Sequence, residues 1–279
     1  MRRPLDRPDY FAHIILILGV MLFAFPVWLV FAGSTQDPDA IMRGDLSLIP
    51  DLTNLSVYTR VLLHGTMGTE PVWHMLLISF GMAVAIATGK IFISVLSAYA
   101  VVFFRFPFRQ TAFWLIFVTL MLPVEVRIIP TYAVMSGFAL INTFTGLWVP
   151  LIASATATLL FRQVFTAIPD ELLEAARIDG AGPLRFLRDI VLPVSGANIA
   201  ALFVILFVYG WNQYLWPLLV STDPSLDTIV IGIVKMIGQE TQTDWSAVMA
   251  TAVLALLPPV AVVVLMQRWF VAGLTEGEK

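Results

Sequence analysis

The chain has no cysteine, which removes disulfides and thiolate metal sites from consideration. Charged residues are scarce at 13%, against 59% hydrophobic, too little polar surface for a soluble globule of 279 residues. None of the nineteen acids falls within an apolar run, so the intramembrane carboxylates that usually relay protons or sodium ions are missing and ion-coupled symport is disfavoured. A phosphate-binding loop for ATP is missing too. Gly89-Lys90 has the ending of one, but Val84 stands where the first glycine belongs and Ile91 where Ser or Thr is required. His13, His64 and His74 lack metal-ligand spacing, no Gly-x-Ser-x-Gly elbow occurs, and no paired carboxylates lie in an apolar run. The chain is therefore expected to be no enzyme and to hold no cofactor or metal of its own.

What is present is apolar length. Mean hydropathy is +0.87, the value of an integral membrane protein. The fold expected is all-α: one polytopic transmembrane domain over residues 1–279 with six transmembrane helices. The first apolar run, 14–32, exceeds a signal-peptide core, contains Pro26 and ends on a weak cleavage site, so it reads as an uncleaved span. An acid-rich stretch at 34–72 reads as an external loop. The run 73–104 is too long for one upright helix across a core of about 30 Å, so a helical piece at the outer interface is expected, with spanning from near Met82. A third span covers 111–122, and Pro123 and Pro130 should break its continuation through Glu125 and Arg127. Spans at 145–161, 196–219 and 247–265 complete the set, with 221–245 as a second external loop. This layout puts eleven cations on the side of Arg2, Arg105, Arg162 and Arg268, and four, Arg43, Arg60, Arg127 and Lys235, on the other. Both termini are then cytoplasmic by the positive-inside rule.

The longest charged interval, 174–193, sits between two spans within a cytoplasmic loop of about 162–195. Pro169 suits a first helical turn, Asp170 and Glu171 lie where the helix dipole favours anions, and Gly180 is a natural stop. Pro183 can open a second short helix that Pro193 closes. Leu172, Leu173 and Ala176 give the first helix an apolar side; Leu184, Leu187 and Val191 do so for the second. Helices this short are marginal in water, so the pair needs a surface to lie on. Glu174-Ala175-Ala176, Asp179-Gly180, then Ile190, Leu192 and Pro193 resemble the EAA loop of ABC-importer permeases. The resemblance implies that these residues couple the chain to a separate ATP-hydrolysing subunit.

Three constellations are candidates for a substrate pathway. Lys90 would cost about 2.5–3.5 kcal/mol at the centre of an isolated helix, so it should face a cavity, a partner or the interface. Arg127 sits where a broken helix can expose polar backbone to a cavity, or it pairs locally with Glu125. Tyr209-Gly210-Trp211-Asn212-Gln213-Tyr214 forms either an interfacial aromatic belt or a wall in which Trp211, Asn212 and Tyr214 stack on and hydrogen-bond a polyol.

The motifs Phe104-Arg105-Phe106-Pro107, Met121-Leu122-Pro123, Ile141-Asn142-Thr143 and Trp211-Asn212-Gln213-Tyr214-Leu215-Trp216-Pro217 are similar to the carbohydrate-importer branch, in particular the smaller maltose-permease subunit. Leu120 to Arg127, Ala153 to Thr158 and Tyr209 to Leu219 resemble the permeases of sn-glycerol-3-phosphate importers. The resemblance implies a multi-pass subunit of the bacterial inner membrane, in contact with lipid. Its partners would be a homologous permease, a homodimeric ATPase that binds ATP and magnesium, and an external substrate-binding protein, with no nucleic acid. Its solutes would be sn-glycerol-3-phosphate and glycerophosphodiesters. Another polyol of the branch, an ion-driven carrier and a non-transporting scaffold remain as alternatives.

Overall fold

The computed structural model describes residues 10–66, 68–119, 124–237 and 243–275, which form two compact units, Met1–Trp73 with Gly232–Leu256 and His74–Ile231 with Leu257–Lys279. The described residues are helical and without strands.

The first unit opens with α1 (Tyr10–Ser34), apolar and almost wholly exposed along its length until Ala32, Gly33 and Ser34 become buried. The acid-rich stretch after it, read as an external loop, carries α2 (Pro38–Met42) and α3 (Ser56–His64). Asp37 caps α2, and Val57 and Val61, one turn apart, bury one side of α3. Side-chain hydrogen bonds to backbone replace secondary structure between the helices. The Gln36 amide donates to the Ser47 carbonyl at 2.6 Å and accepts the Ser47 N–H at 2.9 Å, while Thr35 Oγ1 accepts the Asp51 N–H at 2.9 Å. Such bonds satisfy turn backbone that would otherwise be buried unpaired.

In the second unit α4 (Val72–Phe103) is one uninterrupted helix of 32 residues, about 48 Å long, rather than the two pieces expected. No proline stands between Pro71 and Pro107 to break it. After α5 (Arg109–Val118), α6 (Val124–Gly137) runs on through Pro130, where a break was expected; the Thr131 hydroxyl donates to the Arg127 carbonyl at 2.7 Å and ties that turn. Pro123, Met121 and Leu122 lie outside the described residues. The expected fourth span is a bent pair: α7 (Phe144–Trp148) with a 3-10 turn to Leu151, then α8 (Ala155–Thr166) at 51°, capped by Ser154.

The charged interval supplies α9 (Asp170–Ile178), α10 (Pro183–Phe186), a π-helical turn through Leu187–Val191, and α11 (Leu192–Val194). A 75° bend at Ser195 leads into α12 (Gly196–Trp211), followed by α13 (Leu215–Val220). The second expected loop holds α14 (Ile229–Ile237), and the last helix, α15 (Trp245–Thr275), runs through Pro258 and Pro259.

A core of Met82, Ile86, Met135, Leu147, Trp216 and Val220 joins α4, α6, α7 and α13, and the Trp216 indole donates to the Gly146 carbonyl at 3.0 Å. Among the described residues three helices, within α1, α4 and α15, are long and apolar enough to cross a membrane, or five spans if each bent pair counts as one.

Candidate functional site

The charged interval folds as its sequence dictates. Pro169 precedes α9, Asp170 and Glu171 occupy its first turn, and Arg177 its last, each charge matched to the dipole. Gly180 then takes φ +70°, with its N–H bonded to the Arg177 carbonyl at 3.1 Å and the Ala181 N–H to the Ala176 carbonyl at 2.8 Å. This is the Schellman closure, which requires a left-handed residue that glycine adopts without Cβ strain.

Aromatic packing fixes the second helix to the membrane helices. Tyr99 near the end of α4 donates its hydroxyl to the Pro183 carbonyl at 2.7 Å, and the Phe103 ring meets Phe186 edge-on at 5.2 Å. Phe165 of α8 adds a ring 6.3 Å from Phe103. Phe186, Leu187 and Val191 are buried accordingly, so the helix is packed against α4 and α8.

The two faces differ from the expected assignment. Ala176 is buried within the chain, whereas Glu174, Ala175, Asp179 and Gly180 are exposed, Ile190 and Leu192 are half-buried, and Pro193 is exposed. Leu184, read with Leu187 and Val191 as the apolar side of the second helix, is 78% exposed while those two are buried, and Ile178 is 86% exposed. The packed side of α10 starts only at Phe186, because the Tyr99 and Phe103 rings lie beneath that turn. Sequence reasoning missed Ile178; its signal was an isoleucine between Arg177 and Asp179, in a turn where every neighbour is charged or glycine.

Lys90 lies deep in α4, only 7% exposed, with its amino nitrogen 3.8 Å above the centre of the Tyr209 ring. Gly210 permits this. A Cβ there would stand 2.9 Å from the Ala83 Cα, so only glycine lets α12 approach α4 closely enough to bring Tyr209 over the lysine. A desolvated cation–π contact is worth about 2 kcal/mol, against about 2.5–3.5 kcal/mol for placing the charge there, so Tyr209 offsets much of the cost without removing it. Among the described residues Lys90 has neither an ion pair nor a hydrogen bond to an acid. Arg127 is exposed on α6, and the Glu125 side chain, its expected local partner, lies outside the described residues.

Within the aromatic segment, read either as an interfacial belt or as a polyol wall, Trp211 and Asn212 contact their own helix. Trp211 is buried and stacks on Phe207 at 5.9 Å, and the Asn212 amide donates back to the Val208 carbonyl at 2.9 Å. Tyr214 is half-buried at the start of α13. Of the five candidate pathway residues, Lys90 and Trp211 are buried, Tyr214 is half-buried, and Arg127 and Asn212 are exposed. No group of three or more His, Asp or Glu is placed to hold a metal among the described residues.

Residues 90–276, which include the whole charged interval, match the family model for the binding-protein-dependent transport system inner membrane component. The chain belongs to that family. This makes it a multi-pass component of the bacterial inner membrane, with the all-α fold of an importer permease. It is similar to sn-glycerol-3-phosphate transport system permease protein UgpE of Agrobacterium fabrum, with 56% identity over 99% of each chain. The same-named proteins of Rhizobium meliloti (54%, covering 100% of this chain and 99% of the relative) and Yersinia pestis (55%, 97% of each) are also similar. Among solved structures, a chain of a bacterial ABC transporter involved in import of the acidic polysaccharide alginate superposes with a TM-score of 0.80, covering 96% of this chain and 100% of that one at 22% identity, a shared fold. The resemblance read from the interval 174–193 and the segments around Arg127 and Trp211 therefore extends over the full length of these inner membrane components.

Proposed function

We propose that this chain is the permease subunit of an ATP-driven, binding-protein-dependent importer of sn-glycerol-3-phosphate and glycerophosphodiesters. The observation that carries the reading is the 56% identity, over 99% of both chains, to a permease named for that solute. A homologous permease pairs with it in the membrane, a homodimeric ATPase binds ATP and magnesium, and an external protein delivers the solute; this subunit performs no hydrolysis. Six spans with cytoplasmic termini complete the reading, the segments Arg109–Val118 and Val124–Gly137 supplying the third.

The mechanism follows from the coupling segment. ATP shifts a transporter between inward- and outward-facing states only if it binds them with different affinity, and moving a population from 1:99 to 99:1 takes about 5.5 kcal/mol of that difference. Glu174, Ala175, Asp179, Gly180, Ile178 and Leu184 present the surface that the ATPase grips. Ala176, Ile190, Leu192 and Pro193 hold that surface to the rest of the segment, and Tyr99, Phe103 and Phe186 transmit its movement to α4.

Uptake of labelled sn-glycerol-3-phosphate into proteoliposomes holding the complete complex, with ATP inside, binding protein outside and maltose as competitor, tests the reading. Saturable uptake that needs both ATP and the binding protein, and that maltose does not displace, is expected. Uptake of maltose alone would overturn the solute, and failure of any ATPase to co-purify would overturn the importer. Replacing Gly180 by valine forces a β-branched residue to φ +70° at a cost of about 1–2 kcal/mol, with open space around it. ATP hydrolysis in that complex is expected to continue while uptake falls.

A further inference from the structure

We propose that the segment 47–54, between α2 and α3, lies in the bilayer surface at which α1 ends, with Leu48, Ile49 and Leu52 inserted into zwitterionic lipid and Trp28 fixing their depth. The inference depends on the membrane location of the chain and not on the solute that it carries.

The height of the segment is set by α1. The Trp28 indole, about 9 Å short of the end of that helix at Ser34, donates to the Leu48 carbonyl at 3.0 Å, so the segment folds back beside the span instead of leaving it. Tryptophan, with an apolar ring and one N–H, is a residue of membrane interfaces. Leu48, Ile49 and Leu52 are 54%, 78% and 65% exposed, next to an α1 surface on which Val27 and Trp28 are exposed as well. Water would satisfy the backbone of an exposed loop, yet this one satisfies itself. The N–H groups of Ser47, Ile49, Asp51 and Thr53 donate to the side chains of Gln36, Ser47, Thr35 and Asp51 at 2.9–3.1 Å, and Pro50 has no N–H. A backbone closed in this way can leave water, because unpaired groups are what make irregular chain costly beside lipid. Between Gly44 and Thr59 there is no Lys or Arg, so nothing in the segment attracts an anionic headgroup. The Asp51 carboxylate accepts from the Thr53 N–H and hydroxyl. Apolar area therefore drives insertion, and a zwitterionic bilayer is the surface that it fits.

The chain has no cysteine, so a single one can be introduced and spin-labelled. The complete complex carrying Ile49→Cys or Leu52→Cys is labelled with a nitroxide in phosphatidylcholine nanodiscs. Collision of the label with oxygen, which partitions into lipid, is compared with collision with a water-soluble nickel chelate. Asp39→Cys, at an exposed charged position of α2, is the aqueous reference, and the unsubstituted complex is the labelling blank. Both test positions are exposed, so neither substitution disturbs packing. Each is expected to give an oxygen-to-nickel ratio severalfold above that of Asp39→Cys. Trp28→Phe keeps a ring but leaves the Leu48 carbonyl without its donor, and is expected to bring the ratio at 49 down towards the reference. A ratio at 49 and 52 equal to that at 39 overturns the proposal and leaves a surface that faces water, open to an external protein. A label shielded from oxygen and nickel alike overturns it too and assigns the surface to a partner permease. An unchanged ratio in Trp28→Phe overturns the part given to the indole.

Discussion

Two regions of this molecule invert the usual placement of side chains, in opposite senses. In the charged interval, Ile178 and Leu184 stand 86% and 78% exposed among arginines and acids. In the apolar bundle, Lys90 is buried to 7% beneath an aromatic ring. Exposed leucines are commonplace on any surface, and a buried lysine can be a structural cation–π pair. The regions become informative because each is rigidly built around its misplaced residue. The Schellman closure at Gly180 and the Tyr99–Pro183 bond hold the apolar pair outward, and the Gly210 crossing holds the lysine inward.

The sharpest way to break the comparison is at Gly210. A valine there drives its branched side chain into the α4 backbone at Ala83, an overpacking cost of about 3 kcal/mol. A complex carrying Gly210→Val is expected to lose thermal stability in detergent and all uptake. Unchanged unfolding temperature would show that the crossing yields easily and does not pre-organise Tyr209. The next effect falls on the other region and leaves folding intact. Ile178→Asp with Leu184→Asp removes two exposed apolar groups that support nothing within the chain. At about 1 kcal/mol each, after the costs of association, ATPase retention during purification should weaken by roughly thirtyfold with no change in unfolding temperature. Normal retention would place the docking surface elsewhere.

How much of this was legible in the sequence follows from the range of the interactions involved. The stop at Gly180 and the start at Pro183 are local, set by one residue's φ or missing N–H, and both were readable. The burial of Phe186 was not. It depends on where the Tyr99 and Phe103 rings, some eighty residues earlier, happen to sit. The unbroken α4 was misread because its length exceeds a bilayer, although the absence of proline from Val72 to Phe103 pointed to one helix. Pro130 was given too much weight as a breaker, since a neighbouring threonine can restore the turn. Lys90 was identifiable as a costly charge from its surroundings in sequence, whereas its ring partner Tyr209 lies far along the chain and only the fold pairs them.

A third pair provides the control that the comparison needs. Arg60 and Asp244 meet at 2.9 Å, both partly exposed, so that here a charge does find its counter-charge within the chain. Burial pushes the Asp244 carboxyl up, but the Ser246 hydroxyl, the Ala247 N–H and the Arg60 guanidinium together outweigh it and hold the group below the ordinary aspartate value of 3.8. A depressed pKa stabilises the folded state above the unfolded value, and that contribution disappears as pH falls through the folded one. Asp244→Asn keeps an acceptor for the Ala247 N–H at the start of α15 but removes the charge and puts an NH2 donor where Oδ2 accepts from Arg60. Solvent screening limits the expected loss to about 1 kcal/mol or less near neutral pH. The difference in unfolding temperature between the two proteins should therefore be small from pH 7 to pH 5 and should close only below 3.8. A much larger difference, or one that vanishes already at pH 6, would mean that exposed pairs in this chain matter as much as buried charges. The burial of Lys90 would then no longer set it apart from the exposed charges of the chain.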